Sequence, residues 1–261
     1  YDWDAVIERS RRTAAELAAG VAGLMRKNRV TVIHGRGRLT PARGVEVTPA
    51  TGGKSLALNP RYVLLATGGR PRSLPGIEID GERVISSREA MTLASRPQSL
   101  AIIGAGAIGV EFATFYSAFG TKVTLLESED QVLPREDPEA AGILTTALQN
   151  DGIVVHTGVR VTGVDGGGPR RKTATVQYSG SSGAAEVRAE RVLMAVGVSA
   201  NTENLGLEAI GLRPERGCLP VDGRYATKAQ DVYAIGDLIG APQLAHAAAA
   251  EGVAAVEFMA G

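Results

Sequence analysis

The sequence predicts an α/β fold built around a parallel sheet of the Rossmann type. Two short apolar runs, at 100–103 and 123–126, are typical of buried parallel strands. Between them stand Gly104, Gly106 and Gly109 in a G-x-G-x-x-G pattern, followed by phenylalanines at helical spacing. This order predicts a strand, a tight turn, a helix and a second parallel strand.

Each glycine of the turn suits the binding of a dinucleotide. Gly104 permits the sharp turn, Gly106 leaves room for a pyrophosphate, and Gly109 lets the helix pack close to the sheet. The phosphates would meet free N–H groups at the positive end of the helix dipole. A glycine-rich turn without a ligand is the alternative, but Glu127, 23 positions after Gly104, favours the dinucleotide site.

Glu127 also indicates which dinucleotide binds. A carboxylate at the end of the second strand suits the free 2′-hydroxyl of an adenosine ribose and repels a 2′-phosphate. Residues 128–131 contain no cation that could bind such a phosphate. The sequence therefore predicts NAD in preference to NADP.

Composition limits the classes of function. The 261 residues include 28 basic and 28 acidic side chains, so we expect no nucleic-acid partner. The apolar runs are too short to span a bilayer, the opening residues are not a secretory signal, and we expect no membrane partner. Cys218 is the only cysteine, which excludes an internal disulfide and favours a cytoplasmic setting. Because the first residue is not methionine, we expect the chain to begin partway through a larger protein.

The segments around this central unit carry further expectations. A helix is predicted over 3–27 with an apolar stripe that packs against the protein, and a strand over 30–33. A helix over 136–149 is expected to turn Ile143, Leu144 and Leu148 inward. Further strands are predicted at 62–66, 153–155, 159–164, 174–177, 186–188, 191–196 and 232–235.

Polar residues follow two of the predicted strands. Thr67 and Gly68 come after the strand at 62–66, where a hydroxyl and an open backbone can meet a ligand. Asp237 comes after the strand at 232–235 and can bind a ligand hydroxyl, but it can equally cap a turn. The residue alone does not decide between these two roles.

Four motifs occur in one order along the chain. They are ATGGRPRSLPG at 66–76, GAGAIGVE at 104–111, AVGVSANT at 195–202 and YAIGDLIGAPQLAHAAAAEG at 233–252. The ordered set resembles the pyridine nucleotide-disulfide oxidoreductase family, and within it the dihydrolipoyl dehydrogenases. The resemblance covers essentially the whole chain. It implies a flavoprotein with an FAD-binding domain, an inserted Rossmann-like NAD-binding domain and a C-terminal dimerisation domain.

The resemblance also implies a division of this chain. Residues 77–200 would form the NAD-binding domain, and residues 1–76 and 201–261 would be parts of the FAD-binding domain. The FAD site implied by the resemblance consists of Gly37, Thr67, Gly68, Asp237 and Ala245. Asp237 would bind the ribityl chain. Ala245 would offer its N–H to the flavin pyrimidine edge, where a helix N-terminus favours negative charge on a reduced flavin.

On the NAD side the resemblance implies a longer set of contacts. These residues are Gly104, Gly106, Ala107, Ile108, Gly109, Glu111, Glu127, Val161 and Gly197. Val161 matches a position against the adenine, and Gly197 matches one near the nicotinamide. Glu111 matches a glutamate close to the contact between flavin and nicotinamide, and a solvated acid in the first helical turn is the alternative. No catalytic residue and no metal ligand is assigned in this chain.

The sequence departs from the family pattern in several places. Val198 and Ala200 stand where many relatives have arginine and proline. These 261 residues contain no second G-x-G-x-x-G for the FAD diphosphate, no C-x-x-x-x-C redox pair and no C-terminal histidine–glutamate base, and Cys218 matches no catalytic position. We therefore expect the isolated chain to be inactive and to hold the NAD site with part of the FAD site.

The resemblance implies one reaction and leaves two alternatives open. A complete enzyme would convert dihydrolipoamide and NAD to lipoamide and NADH through FAD and a redox disulfide, as a homodimer acting on a small-molecule dithiol. A related flavin reductase would use a low-molecular-weight disulfide, mercuric ion or oxygen as its acceptor. A non-catalytic NAD-binding module is the third possibility, which the flavin-contact strings Gly236-Asp237 and QLAH disfavour.

Overall fold

The computed structural model describes residues 2–42, 44–166 and 172–261. The helices and strands are α1 (Trp3–Lys27), β1 (Gly35–Leu39), β2 (Val45–Pro49), β3 (Leu56–Leu58), β4 (Val63–Leu65), β5 (Gly69–Pro71), β6 (Val84–Ile85), α2 (Ser87–Ala90), β7 (Ser99–Ile103), α3 (Ala107–Ala118), β8 (Lys122–Leu126), α4 (Pro138–Asn150), β9 (Val154–His156), β10 (Arg160–Asp165), β11 (Ala174–Gly180), β12 (Gly183–Ala189), β13 (Arg191–Met194), β14 (Val198–Ala200), β15 (Val232–Ala234) and α5 (Ala245–Ala260). Short 3-10 helices span Leu207–Ile210 and Gly236–Leu238. Within the described ranges, no helix is both long and apolar enough to cross a bilayer.

The chain divides into two compact units. The first unit comprises residues 1–19 and 71–197, and the second comprises residues 20–70 and 198–261. A five-stranded sheet in the order β6-β13-β7-β8-β9 forms the centre of the first unit, and all of its neighbouring strands run parallel. Helix α3 connects β7 to β8, and α4 connects β8 to β9, as parallel pairing requires. The predicted Rossmann-like parallel sheet is confirmed.

Apolar side chains bury both faces of this sheet. The cluster on one face, which includes residues of α3 and α4, contains Ile85, Leu100, Ile102, Val110, Tyr116, Leu125, Leu148 and Leu193. The cluster on the other face, which includes residues of the antiparallel sheet β10-β11-β12, contains Val84, Ala101, Ile103, Leu126, Val176, Val192 and Met194. Successive residues of β7 alternate between the two clusters, which explains why its sequence is apolar throughout.

The described residues of the second unit form three small sheets. Strands β1, β2 and β3 form an antiparallel sheet, β4 pairs with β15 in parallel, and β5 pairs with β14. Its core consists of Leu39, Leu65, Ala200, Leu207, Leu212, Leu219, Val232, Ala234 and Leu238. The pairing of β4 with β15 places the ends of the apolar runs at 62–66 and 232–235 next to each other.

Helix α1 has the predicted bounds, but the predicted packing of its apolar stripe is wrong. At its start the Trp3 ring packs against the Phe115 ring, with the centroids 5.9 Å apart and the planes tilted by 54°. Trp3 also donates from Nε1 to the carbonyl oxygen of Leu93 at 2.8 Å. Farther along, Leu17 is 69% exposed and Val21 is 55% exposed. No described residue of α1 is buried, so the aromatic contact at Trp3 holds the helix and the stripe does not.

Two further expectations are wrong. No strand forms over 30–33: this segment is exposed, and no strand in the described part of the chain pairs with it. Ile143 is 68% exposed, whereas Leu148 is buried and Leu144 packs, partly buried, against the core as expected. The buried face of α4 runs through Ala141 and Leu148, seven residues apart. Ile143 lies about 200° around the helix from Ala141, which turns it to solvent.

Candidate functional site

The G-x-G-x-x-G turn follows β7, and two of its glycines are sterically required. Gly104 has a φ of +101°, and its N–H donates to the carbonyl oxygen of Leu126 at 2.8 Å. A Cβ atom at Gly104 would stand 2.5 Å from the carbonyl oxygen of Ala195, and one at Gly109 would collide with the carbonyl oxygen of Gly104. Only glycine fits these two positions without displacing the backbone.

Gly106 differs from the other two glycines because a Cβ atom there would meet nothing within 4 Å. The backbone at Gly106 is therefore open to a ligand. Gly106 is also the N-cap of α3, and no side chain in the described part of the chain caps this helix. The first amide groups of the helix, at Ala107 and Ile108, are free to donate. Free N–H groups and the helix dipole together favour an anion at this position.

Glu127 follows β8 and lies against the centre of the turn. Its side chain is buried, with the residue 7% exposed. Oε2 accepts a hydrogen bond from the N–H of Ala105 at 2.6 Å, and Oε1 accepts one from the N–H of Glu129 at 3.0 Å. Carboxylate oxygens have lone pairs left to accept from ribose hydroxyls as well. The sequence predicts this acid, but not the hydrogen bond that joins it to the turn.

The segment after β13 also reaches the turn. The N–H of Ala195 donates to the carbonyl oxygen of Ile103 at 2.8 Å, and Gly197 follows with a φ of +109°. Arg72 holds this segment, since its backbone N–H donates to the carbonyl oxygen of Gly197 at 3.0 Å. Its Nη2 donates to the carbonyl oxygen of Val196 at 2.7 Å. A cation therefore stands beside the position where the nicotinamide contact is predicted.

Val161 and Glu111 lie on different elements of the first unit. Val161 lies in β10 and packs, half-buried, on the cluster beneath β10-β11-β12. The N–H of Val159 donates to the carbonyl oxygen of Glu127 at 2.9 Å, which brings the start of β10 to the end of β8. Glu111 is exposed on α3. The alternative for Glu111, an acid in the first helical turn, is wrong as to the turn, because α3 begins at Ala107 and Glu111 falls in its second turn.

In the second unit, Thr67 and Gly68 are joined to Asn201. Thr67 Oγ1 donates to the carbonyl oxygen of Asn201 at 2.8 Å, and Asn201 Nδ2 donates to the carbonyl oxygen of Thr67 at 3.0 Å. The N–H of Asn201 donates to the carbonyl oxygen of Gly68 at 2.9 Å. Gly68 has a φ of +67°, and a Cβ atom there would meet nothing within 4 Å. The backbone at Gly68 is therefore fixed and open, as at Gly106.

An ion pair lies beside this contact. Arg70 donates from Nη2 to Glu203 Oε1 at 2.6 Å and from Nη1 to Glu203 Oε2 at 2.9 Å. Arg70 Nη1 also donates to Asn201 Oδ1 at 3.0 Å. The mutual hydrogen bond raises the pKa of Arg70 and lowers the pKa of Glu203. The two side chains are 44% and 56% exposed, so the pair orients Asn201 more than it stabilises the fold.

Asp237 lies close to the same loop. Asp237 belongs to the 3-10 helix Gly236–Leu238. Its Oδ2 atom would be 3.1 Å from a Cβ atom added at Gly69. The N–H of Gly236 donates to Oε2 of Glu251 in α5 at 2.7 Å. The carboxylate of Asp237 caps no turn among the described residues. It is therefore free to accept from a ligand hydroxyl.

The remaining two flavin-side residues lie on different elements. Ala245 begins α5, and the N-cap Leu244 provides no side-chain hydrogen bond, so the first N–H groups of this helix are open. Helix α5 packs on the 3-10 helix Gly236–Leu238, and the Cβ atom of Ala248 would be 3.2 Å from a Cβ atom added at Gly236. Gly37 lies in β1 opposite Val47, and its described pairing is with β2.

Sequence reasoning missed three residues that shape these sites, namely Arg72, Asn201 and Glu251. Each lies inside one of the four motifs, and this membership was the only indication in the sequence that these residues shape a site. Their contacts could not be inferred because Arg72 and Asn201 join segments more than 120 positions apart.

Cys218 packs half-buried against the core of the second unit. The described residues contain no group of three or more potential metal ligands.

The model of the pyridine nucleotide-disulphide oxidoreductase family matches residues 3–252. The chain belongs to this family. Its named relatives are oxidoreductases, and FAD and NAD are the cofactors of the dihydrolipoyl dehydrogenases among them.

This family member is similar to curated proteins over its whole length. It is 40% identical to the dihydrolipoyl dehydrogenase of Rhizobium etli over 273 residues, covering 100% of this chain and 56% of the relative. It is 39% identical to that of Zymomonas mobilis over 262 residues, covering 100% of this chain and 55% of the relative. The chain thus spans about half the length of the curated relatives it matches.

Solved structures of family members have the same fold. LpdA from Mycobacterium tuberculosis matches with a TM-score of 0.88 and 33% identity, over 98% of this chain and 56% of that one. The HOCl-induced flavoprotein disulfide reductase RclA from Escherichia coli matches with a TM-score of 0.81 and 26% identity, over 96% of this chain and 56% of that one. The α/β architecture described above is therefore that of the flavoprotein disulfide reductases.

Proposed function

We propose that this chain forms the NAD-binding part, and a portion of the FAD-binding part, of a dihydrolipoyl dehydrogenase. The observation that carries the proposal is the turn after β7. Its backbone is open at Gly106, between two glycines that admit no side chain, and Glu127 is hydrogen-bonded to its centre. The 40% identity to a dihydrolipoyl dehydrogenase supports the choice of substrate.

The NAD site is proposed at the carboxyl ends of β7, β8 and β13. The diphosphate would lie at Gly106 and accept from the N–H groups of Ala107 and Ile108, where α3 begins. Glu127 would accept from the hydroxyls of the adenosine ribose and exclude a 2′-phosphate. Val161 would contact the adenine.

The nicotinamide end of the site is proposed beside Gly197. Arg72 holds the backbone on both sides of this glycine, which keeps the approach to the turn open. Glu111 is proposed near the contact between nicotinamide and flavin. Its exposed position in the second turn of α3 leaves the carboxylate free of other partners in the described part of the chain.

The flavin contacts are proposed in the second unit. Thr67 and Gly68 would meet the cofactor through a hydroxyl and an open backbone that Asn201 keeps in place. Asp237 would accept from the ribityl hydroxyls, the N-terminus of α5 at Ala245 would support negative charge on the ring, and Gly37 would line the site. FAD, when bound, would relay electrons between a dithiol and NAD.

The proposed domain division is the one that the family resemblance implies. Residues 77–200 are proposed as the NAD-binding domain, and residues 1–76 and 201–261 as portions of the FAD-binding domain. The dithiol relay needs two cysteines, and these 261 residues contain only Cys218. The isolated chain is therefore proposed to be inactive, and the homodimeric whole enzyme is proposed to act on dihydrolipoamide.

The reaction balances without a further reactant. Dihydrolipoamide gives up two electrons and two protons and becomes the cyclic disulfide. NAD takes up the two electrons with one proton as hydride, and the second proton goes to solvent. The residues described here hold the acceptor, and they supply no nucleophile and no base to the dithiol.

The proposal is tested by an activity assay of the whole protein that contains these 261 residues. NADH formation from dihydrolipoamide and NAD is expected, and it should disappear in a Gly106→Val variant that retains its flavin. The 261-residue chain alone should be colourless and inactive, even with added FAD. Faster NADPH oxidation with a low-molecular-weight disulfide, mercuric ion or oxygen would contradict the proposed substrate. NAD binding without flavin in the whole protein would identify a non-catalytic module.

A further inference from the structure

The strand order of the parallel sheet gives the proposed dinucleotide a direction. Strands β13, β7, β8 and β9 are successive neighbours that all run parallel, so their carboxyl ends lie side by side along one edge of the sheet. Gly197 follows β13, Gly106 follows β7 and Glu127 follows β8. The proposed contacts to the nicotinamide, the diphosphate and the adenosine ribose therefore succeed one another in the direction of β9.

The end of β9 is accordingly the place where the adenine should lie, because the base is bonded to the ribose. His156 is the last residue of β9, and it is paired in register with Leu126, the last residue of β8. The N–H of Glu127 donates to the carbonyl oxygen of His156 at 2.8 Å, and the N–H of Val159 donates to the carbonyl oxygen of Glu127 at 2.9 Å. These bonds hold the end of β9 beside the residue proposed to bind the ribose.

The His156 ring projects toward the antiparallel sheet β10-β11-β12. Leu126 belongs to the cluster on that face of the parallel sheet, and side chains paired in register on neighbouring parallel strands share a face. The ring of Tyr178 in β11 lies on the same side, with its centroid 5.4 Å from that of the His156 ring and the planes tilted by 41°. Two aromatic rings therefore meet where β9 ends.

Val161, the residue that the family resemblance places against the adenine, adjoins this pair of rings. It stands directly opposite Tyr178 in the antiparallel pair of β10 and β11, and side chains in that relationship are neighbours. A bulge at Thr162 shifts the register, so that both Val161 and Val164 pack on the cluster of the Tyr178 face. Tyr178 thus lies next to both His156 and Val161.

Both rings are available to a ligand. His156 and Tyr178 are half-buried, so part of each side chain remains accessible. Neither side chain forms a hydrogen bond with another residue in the part of the chain that the structure describes. Tyr178 packs on the buried cluster, which fixes its ring, and that ring supports His156. Aromatic rings held in this way provide a preformed surface for a flat base.

We propose that the rings of His156 and Tyr178 form the surface on which the adenine of NAD stacks, an inference that rests on the proposed function. Stacking uses the π-face of the base and does not read its edge. The two rings therefore determine how tightly the adenosine end is held. Glu127 has the separate task of distinguishing a free 2′-hydroxyl from a 2′-phosphate.

The direct test is a nuclear Overhauser measurement on the ¹³C-labelled 261-residue chain bound to unlabelled NADH. Contacts are expected between the carbon-bound protons of the adenine ring and the ring protons of His156 and Tyr178. If the chain binds NADH but the adenine protons contact neither ring, the stacking surface is overturned and the proposed function stands. If the chain binds no NADH at all, both the proposed function and this inference are overturned.

Calorimetry of variants provides the second arm, with NADH and with AMP, which carries the adenine and the ribose without the nicotinamide. His156→Ala and Tyr178→Ala should each bind both ligands about tenfold more weakly, the effect of one lost stacking contact. His156→Phe should keep the affinity of the unmodified chain, because it retains the aromatic face. Gln177→Ala is the matched control, since Gln177 is exposed beside Tyr178 in β11 and points to the opposite face.

Two outcomes with these variants would overturn the stacking surface. The first is equal affinity of His156→Ala, Tyr178→Ala and the Gln177→Ala control. The second is a loss in His156→Phe as large as in His156→Ala, because the ring nitrogens of His156 would then bind the nucleotide and its aromatic face would not. If an alanine variant does not fold, the Overhauser contacts of the unmodified chain decide the question.

Discussion

The carboxylate of Glu127 and the backbone of Ala105 are joined by a hydrogen bond of 2.6 Å between Oε2 and the N–H. Ala105 lies between the first two glycines of the turn, so the hydrogen bond joins the acid directly to the turn. The turn cannot shift without breaking this bond, and the acid cannot turn away. The position of the proposed ribose contact is therefore fixed relative to the proposed phosphate contact.

The 261-residue chain should bind NADH at least about tenfold more tightly than NADPH. A 2′-phosphate would meet the buried carboxylate of Glu127, and residues 128–131 provide no cation to offset the repulsion. Calorimetric titration with the two nucleotides measures the ratio. Equal or tighter binding of NADPH would show that Glu127 does not face the ribose.

Replacing Gly106 with valine should abolish NADH binding and leave the fold intact. A Cβ atom at Gly106 would meet no protein atom within 4 Å, so a valine there extends into the space proposed for the diphosphate. Gly142→Val in α4 is the matched control, because that position is also open, and this variant should bind normally. Unchanged affinity in the Gly106 variant would place the phosphates elsewhere.

At the same turn, Gly109→Ala should destabilise the fold, whereas Gly106→Val should affect only binding. Its Cβ atom would collide with the carbonyl oxygen of Gly104, so the free energy of unfolding should fall by about 1–3 kcal/mol, as in overpacked sites. Urea unfolding of the variant measures this loss. A fully stable Gly109→Ala chain would contradict the described approach of α3 to the sheet.

The stability contributed by Glu89 should depend on pH. Burial alone would raise the pKa of Glu89, but hydrogen bonds from the Ser86 side chain and backbone outweigh it and lower the pKa below 4.5. The stabilisation is therefore present above pH 4.5 and is lost as the pH falls through the lowered value. Glu89→Ala should cost about 1 kcal/mol at neutral pH, the usual value of a helix cap. Thermal unfolding of both proteins across the acid range should show this difference shrinking, and a constant difference would contradict the role of the carboxylate.

The two parallel sheets should differ in hydrogen exchange. Strand β7 has a paired strand on each side, whereas the only strand that pairs with β4 in the described structure is β15. On its other side β15 has only an isolated bridge, between Ala226 and Tyr233. Amides of β7 should therefore exchange much more slowly than those of β4 in the 261-residue chain. Uniform protection across both sheets in a dilute monomer would contradict this expectation.

The parts of the fold that could be predicted are those set by local pattern. The apolar runs around Gly104 and Gly109 fix a strand, a turn and a helix within thirty positions, and the structure has all three. The prediction of a strand at 30–33 was wrong because apolar residues form a strand only where a second strand is available to pair with them. The contact between Thr67 and Asn201 joins positions 134 apart, and no local pattern specifies it.

Mapping NADH binding onto the 261-residue chain by amide shifts tests the proposed site most directly. The largest shifts are expected at 104–109 and at Glu127, with smaller ones at Val161 and Gly197, and they should vanish in the Gly106→Val variant. This outcome would place the dinucleotide on the turn that follows β7. Saturable binding that leaves 104–109 unchanged, or no binding of NADH at all, would contradict the proposed function of the chain.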